Sequence, residues 1–214
     1  MTGRADSDEP TVVVIDDDDS VRQALRGLFE SVRLRTETYG SVQAFQAATP
    51  PASPSCIVLD IRLPGQSGLE FQEALARAGD TRPIVLISAH VDVAMAVRAM
   101  KAGAIDVLAK PVREQDLLEA VNRAIAQDRQ QREAARQAQS LQARYATLTE
   151  RERQVMALVA AGKLNKQIAA AVEITEATVK LHRGQVMRKM GADSIAQLVR
   201  MADLLAGRGD APGK

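Results

Sequence analysis

Four apolar runs end in groups that can do chemistry together. TVVVI leads into Asp16, Asp17, Asp18 and Asp19, CIVL into Asp60, PIVLI into Ser88 and VLA into Lys110. Carboxylates gathered at one place repel one another and are costly to bury bare, so a hard cation with oxygen ligands is what lets them share a site. Mg2+ suits such a place best, because it keeps several waters and takes only a few carboxylates beside a phosphate oxygen. A lysine and a hydroxyl facing that ion would hold a phosphoryl group, Lys110 as a point charge and Ser88 as a hydrogen-bond donor. The acceptor is then a carboxylate, and Asp60, alone at the end of its run, is the candidate nucleophile for an acyl phosphate. Such a transfer asks for positioning and charge neutralisation more than for proton chemistry. No glycine-rich phosphate cradle follows the first run, which disfavours a dinucleotide site.

These groups work together only if the chain brings them to one edge. Runs rich in β-branched residues recur at Thr11 to Asp16, Arg35 to Tyr39, Cys56 to Asp60, Pro83 to Ser88 and Ala104 to Ala109. Helical spacing lies between them, as in Val21, Leu25, Leu28 and Val32, and Ser67-Gly-Leu-Glu70 fits a capping box. Strand and helix alternating five times imply a parallel sheet covered on both faces, with ligands outside the carboxyl ends of its strands.

The chain has 214 residues, enough for one or two domains with real cores, and 46% apolar with 26% charged residues is globular composition. Three Phe, two Tyr and no Trp leave no broad aromatic platform for stacking single-stranded nucleic acid or sugars. One cysteine, Cys56, excludes an intrachain disulfide, and with two His it cannot build a thiolate-rich zinc site. No apolar stretch approaches the roughly 20 residues that cross a bilayer, and the amino terminus has acids where a signal peptide is apolar, so a cytoplasmic protein without a membrane partner is expected. Net charge is uneven: −2 over residues 1–10, −3 over 11–127, +2 over 128–146 and +4 over 147–214, which leaves the last third as the plausible nucleic-acid surface.

From Val112 to Ala161 there is no Gly or Pro, and Leu118, Val121 and Ile125 give way to Gln, Arg and Ala. This reads as a packed helix running on into a solvated helical linker over 128–146. Beyond it the pattern is all helical. Thr149 and Glu152 form a capping box, Gly162 ends that helix, Asn165 is placed to cap the next, and Thr175 opens a helix that Gly191 ends. Ser194 with Gln197 caps a fourth, reaching about Leu205. Lys180, Arg183, Arg188 and Lys189 give the third helix four bases against the single acid Glu176, a phosphate-seeking surface. Two helices joined by a short turn, the second basic, have the shape of a helix-turn-helix module.

Over residues 11–205 the sequence resembles the two-component response regulators, in particular the FixJ/NarL class with a LuxR-type output domain. The motifs are VIDDDD at 14–19, VLDIRLPGQSG at 58–68, the turn Ser88-Ala-His90, MKAGAIDVLAKP at 100–111, and then LTERERQVM, NKQIA and TVKLHR. The resemblance implies a flavodoxin-like α/β receiver over 11–127, with a five-stranded parallel doubly wound sheet in the order 2-1-3-4-5. The helical linker over 128–146 and a four-helix DNA-binding domain over 147–206 follow, and residues 1–10 and 207–214 are expected to be disordered tails. It further implies that Asp60 is the phosphoacceptor, that Asp16, Asp17, Asp60 and the backbone carbonyl of Arg62 hold Mg2+, and that Ser88 and Lys110 are the phosphate-sensing hydroxyl and lysine. The Lys110-Pro111 bond is expected to be cis. Thr178, Lys180, Leu181, Arg183 and Gly184 fall where relatives meet DNA. The implied partners are a sensor histidine kinase, double-stranded promoter DNA and, on phosphorylation, a second copy of the chain. Relatives commonly carry Phe or Tyr where this sequence has Val107, so an aromatic switch coupled to Ser88 cannot operate in the usual way.

Plainer readings stand beside these. Asp18 and Asp19 suit a helix cap and dipole partners rather than metal ligands. Cys56 suits a buried small hydrophobe, His90 a solvated loop, and Val179, Val186 and Met190 the packing side of their helix. The protein is expected not to be an enzyme. Two rival functions remain at this stage: a metal-dependent phosphohydrolase turning over on Asp60, which lacks a well-placed acid-base residue, and a phosphorylated adaptor whose last domain binds protein.

Overall fold

The β-branched runs form the strands β1 (Thr11–Ile15), β2 (Arg35–Tyr39), β3 (Ser55–Asp60), β4 (Ile84–Ser88) and β5 (Asp106–Ala109) in a computed structural model that describes residues 9–207. They pair in parallel in the order β2-β1-β3-β4-β5. The disorder expected for 1–10 and 207–214 falls outside the described residues except at 9, 10 and 207. The strands β1, β3 and β4 are buried at every position, because each lies between two other strands with helices on both faces.

Alternation along the strands sorts the core into two layers. Val13, Ile15, Ile57, Leu59 and Leu86 pack with Phe45 of α2 (Val42–Gln46), Leu69 and Phe71 of α3 (Gly68–Arg77) and Ala99 of α4 (Val93–Lys101). Val12, Val14, Cys56, Val58, Val85 and Ile87 pack instead with Leu25 and Phe29 of α1 (Asp19–Ser31) and Leu117, Val121 and Ile125 of α5 (Glu114–Ala146). Burying a side chain such as Phe29 or Phe71, each at most 1% exposed, contributes about 2 kcal/mol.

The capping box expected at Ser67 is absent. Ser67 is the N-cap of α3, but its hydroxyl donates to the Ile61 carbonyl at 3.4 Å instead of accepting from the helix. Gly68 explains the arrangement: an added Cβ would sit 2.1 Å from the Asp60 carbonyl oxygen, so the loop folds tightly back on the end of β3.

The chain divides into two compact units at Arg132/Glu133, and α5 runs unbroken through the division. The exposed linker is shorter than the sequence suggests. Asp128 is buried, and its Oδ2 accepts from the Ser55 backbone N–H at 2.7 Å and from Arg132 Nε at 2.6 Å. Arg132 donates onward to the Ala52 carbonyl at 2.9 Å, so the first unit holds the helix as far as Arg132. Leu141 already belongs to the core of the second unit, and Arg144 NH1 donates to the Met190 carbonyl at 2.8 Å. Only 133–140 lies wholly exposed between these anchors.

The second unit contains α6 (Glu150–Ala160), α7 (Asn165–Ala171), α8 (Glu176–Met190) and α9 (Ile195–Leu205) around Val155, Met156, Ile168, Val179, Val186, Met190 and Leu198. The box between Thr149 and Glu152 forms, Thr175 and Ser194 cap α8 and α9, and Gly191 closes α8 in the left-handed region at φ 65°. Asn165 does not cap α7. It is the first helical residue, Leu164 stands at the cap, and Gln167 Oε1 reaches back to accept from the Leu164 N–H at 3.0 Å.

Candidate functional site

Register puts the chemistry together. Ile15 pairs with Leu59, so Asp16 and Asp60 lie side by side at the ends of the adjacent strands β1 and β3. Ser88 pairs with Ala109, so the next residue, Lys110, emerges beside Ser88 and its N–H donates to the Ser88 carbonyl at 2.8 Å. Lys110 Nζ donates to Asp16 Oδ2 at 2.6 Å and to Asp60 Oδ2 at 2.5 Å. Asp16, Asp60 and Ser88 are buried, while Asp17 stands exposed at the mouth.

The remaining carboxylate oxygens are held by the backbone. Asp16 Oδ1 accepts from the Asp18 N–H at 2.9 Å and Asp60 Oδ1 from the Arg62 N–H at 3.0 Å. Burial pushes the Asp16 carboxyl up from the usual carboxylate range, against the pull of Lys110 and of the Asp18 N–H. Burial works against the charge on Lys110, but its hydrogen bonds to Asp16 and Asp60 outweigh it and raise its pKa. Asp18 is the N-cap of α1, its Oδ1 accepting from the Ser20 N–H at 2.8 Å, and those helix N–H groups hold its pKa down. Asp19 pairs with Arg22 at 2.8 Å, and Arg22 also donates to the Asp16 carbonyl at 2.7 Å.

Oxygens of Asp16, Asp17 and Asp60 lie within 4.8 Å of one another, and among the described residues this is the only group of three potential ligands. The donor set is all carboxylate oxygen, which fits a hard divalent ion such as Mg2+ and suits neither a soft metal nor zinc. Ser88 Oγ donates to the His90 carbonyl at 3.0 Å and accepts from the His90 N–H at 3.3 Å, so its hydroxyl is parked on the following turn. Val107 is half-buried and packs against the core layer that holds α4. The Lys110-Pro111 bond is cis.

The second site is the outer face of α8. Lys180, Leu181 and Gly184 are exposed there with Arg188, and Leu181 leaves 62% of its surface in solvent. Thr178 is half-buried, and its N–H is engaged by Thr175 Oγ1 at 3.2 Å. Arg183 is half-buried, and its NH1 donates to Asn165 Oδ1 at 2.7 Å. Lys189 departs from expectation. Its Nζ donates to Glu152 Oε2 at 2.6 Å and to the Thr147 carbonyl at 3.1 Å, and so it is drawn into the packing of the unit rather than toward a ligand. Glu152 is buried, and burial alone would push its carboxyl up, yet Lys189 and the Thr149 N–H outweigh burial and hold it below its ordinary range.

A doubly wound sheet with this carboxylate and lysine pocket, followed by a helix-turn-helix unit, defines a phosphorylation-type receiver joined to a DNA-binding module. Comparison with known proteins agrees. Residues 12–122 match the response regulator receiver domain, and residues 146–202 match the bacterial regulatory proteins of the luxR family. The chain belongs to the response regulators with a LuxR-type DNA-binding domain.

It is 47% identical to nodulation protein W of Bradyrhizobium diazoefficiens over 96% of this chain and 95% of that protein. It is 44% identical to the response regulator protein TmoT of Ectopseudomonas mendocina over 92% and 90%. The solved structure of the response regulator StyR is 44% identical, with a TM-score of 0.84 over 92% of this chain and 99% of that one. Among the described residues no helix is long and apolar enough to cross a membrane.

Proposed function

We propose that Asp60 accepts a phosphoryl group from a partner histidine kinase and that this modification controls binding of promoter DNA. The observation that carries the reading is Lys110 Nζ lying 2.6 Å from Asp16 and 2.5 Å from Asp60, with Asp17 completing an all-oxygen cluster. Asp16, Asp17, Asp60 and the Arg62 carbonyl would hold Mg2+, which supplies charge neutralisation for the incoming oxyanion. Asp60 Oδ attacks phosphorus as the bond to the donor's imidazole nitrogen breaks, the ring keeping the electron pair. Lys110 then bonds a phosphoryl oxygen in exchange for a carboxylate, and Ser88 turns its hydroxyl from the His90 carbonyl to the phosphoryl group.

Because Ser88 ends β4 and Lys110 follows β5, their shift reaches the 91–113 surface. There Val93 is 81% exposed, and Val97 and Met100 also leave apolar surface in solvent, which supports homodimer formation on phosphorylation. Two paired output units reach adjacent half-sites with raised effective concentration. With Val107 at the switch position, coupling from Ser88 passes through backbone and packing rather than an aromatic rotamer.

Labelling by acetyl phosphate tests the site. Wild type takes up phosphate in Mg2+ and loses the label-forming activity with chelator, whereas Asp60→Asn does not label; equal labelling of the variant overturns the assignment. Charge reversal at Lys180 weakens salt-dependent binding to duplex DNA, and no effect favours an output unit that binds protein.

A further inference from the structure

We infer that Asn165 is a positioning residue for DNA binding: it holds the Arg183 guanidinium, across two helices, in the orientation that meets a backbone phosphate. The inference rests on the reading of α8 as the DNA-facing helix. Three observations carry it.

The first is geometric. Asn165 Oδ1 accepts from Arg183 NH1 at 2.7 Å, a contact between α7 and α8 spanning 18 residues of sequence. The second is position. Asn165 is the first helical residue of α7 rather than its cap, so its side chain is not engaged in capping and its Oδ1 is turned to the arginine. The third is charge. Arg82 is held by the Asp80 carboxylate at 2.6 Å and Arg98 by that of Glu73 at 2.6 Å, pairings that offset the charge of the guanidinium.

Arg183 is instead held by a neutral amide, so its side chain is ordered while its full positive charge is kept for an anion. A guanidinium has five N–H donors, and one bond to Asn165 leaves the planar fork largely available to two phosphate oxygens. An arginine already fixed loses less rotamer freedom when it binds, and that difference is what Asn165 contributes to affinity.

The test uses the full-length chain and a duplex enriched by it from a random-sequence pool, with affinity measured across a salt series. Arg183→Ala lowers affinity and makes the slope of log affinity against log salt less negative by about 0.9, the loss of one phosphate contact. Asn165→Ala, with Arg183 intact but unheld, lowers affinity by about three- to tenfold. The double variant binds within about twofold of Arg183→Ala alone, because the two residues act as one unit.

Asn165→Asp keeps a hydrogen-bond acceptor but adds a charge, so it flattens the salt slope as Arg183→Ala does. Thermal unfolding of each variant reports any loss of fold, and Asn165→Asp, which preserves the bond to Arg183, serves as the second variant should alanine destabilise α7. Wild-type affinity in both Asn165 variants, or strictly additive losses in the double variant, overturns the inference while leaving DNA binding standing. A wild type that binds no duplex overturns the reading of α8 and this inference with it.

Discussion

Replacing Gly68 with alanine should damage the receiver without altering any charged side chain. The new Cβ would lie 2.1 Å from the Asp60 carbonyl oxygen and 3.0 Å from both the Asp60 carbonyl carbon and Ile61 Cα, all of them backbone. No side-chain rotamer can relieve this, so the strand end and the start of α3 must separate by roughly 1 Å, at a cost of about 1 to 3 kcal/mol. The Gly68 N–H also donates to the Ile61 carbonyl at 2.9 Å, which ties the same displacement to the backbone that sets Asp60. A shift of about 1 Å in a reacting group slows a positioned reaction by about 100-fold. Gly68→Ala should therefore unfold on the order of 5 to 10 °C lower and label with acetyl phosphate about 100-fold more slowly. Gly27→Ala in α1 is the matched control: its Cβ would meet nothing within 4 Å, so it should label normally and gain about 0.5 to 1 kcal/mol. Gly68→Ala labelling at the wild-type rate with an unchanged midpoint would refute the packing argument.

Lys110→Met removes the ammonium from Asp16 and Asp60 and should raise Mg2+ affinity by about tenfold while abolishing phosphate-driven dimerisation, measured by titration calorimetry and by sedimentation. Glu152 is held below its ordinary pKa of 4.5 in the folded unit, so its pairing stabilises the second unit above that pH and the stabilisation is lost as pH falls below it. Unfolding midpoints followed downward from pH 6 should drop less steeply in Glu152→Gln than in wild type. At neutral pH Lys189→Ala should cost about 3 kcal/mol, since it leaves a buried carboxylate unpaired. Burial, with the nearby Asp128 carboxylate, pushes the Cys56 thiol far above its usual range. The native protein should therefore resist thiol reagents and react only at its unfolding rate; rapid modification without unfolding would contradict the packing of β3.

The receiver was legible because its three inner strands, β1, β3 and β4, are continuous apolar runs that stop at polar residues, so pattern and chemistry mark the same positions. Asp16, Asp60, Ser88 and Lys110 are strand-end residues of this kind, and parallel pairing leaves them no other edge to occupy. Asp17 reaches the cluster only as the neighbour of Asp16, without burial or a strand position to single it out. The output unit was less legible. A base on a helix reads alike in sequence whether it seeks phosphate or a buried carboxylate, and Lys189 finds Glu152 across 37 residues. The Glu152 side of that pair shows only as half of a capping box. Asn165 likewise reads as a cap, and nothing local tells that the helix starts one residue earlier and already includes it. Asp128 and Arg132 look like solvated linker residues because their partners, Ser55 and Ala52, lie far back in the chain.

The two deep carboxylates of the receiver share one ammonium, which leaves one negative charge unmatched within the pocket, and the carboxylate at the rim adds another that stands in solvent. The grip of Lys110 acts over less than 3 Å and is largely indifferent to dissolved salt, whereas the attraction of the rim for a divalent ion reaches through solvent and is screened within about 10 Å at 0.1 M ionic strength. A rise in monovalent salt at constant Mg2+ should therefore weaken capture of the ion at the rim while leaving the Lys110 contacts unaltered, read as a shift of a Mg2+ titration to higher concentration.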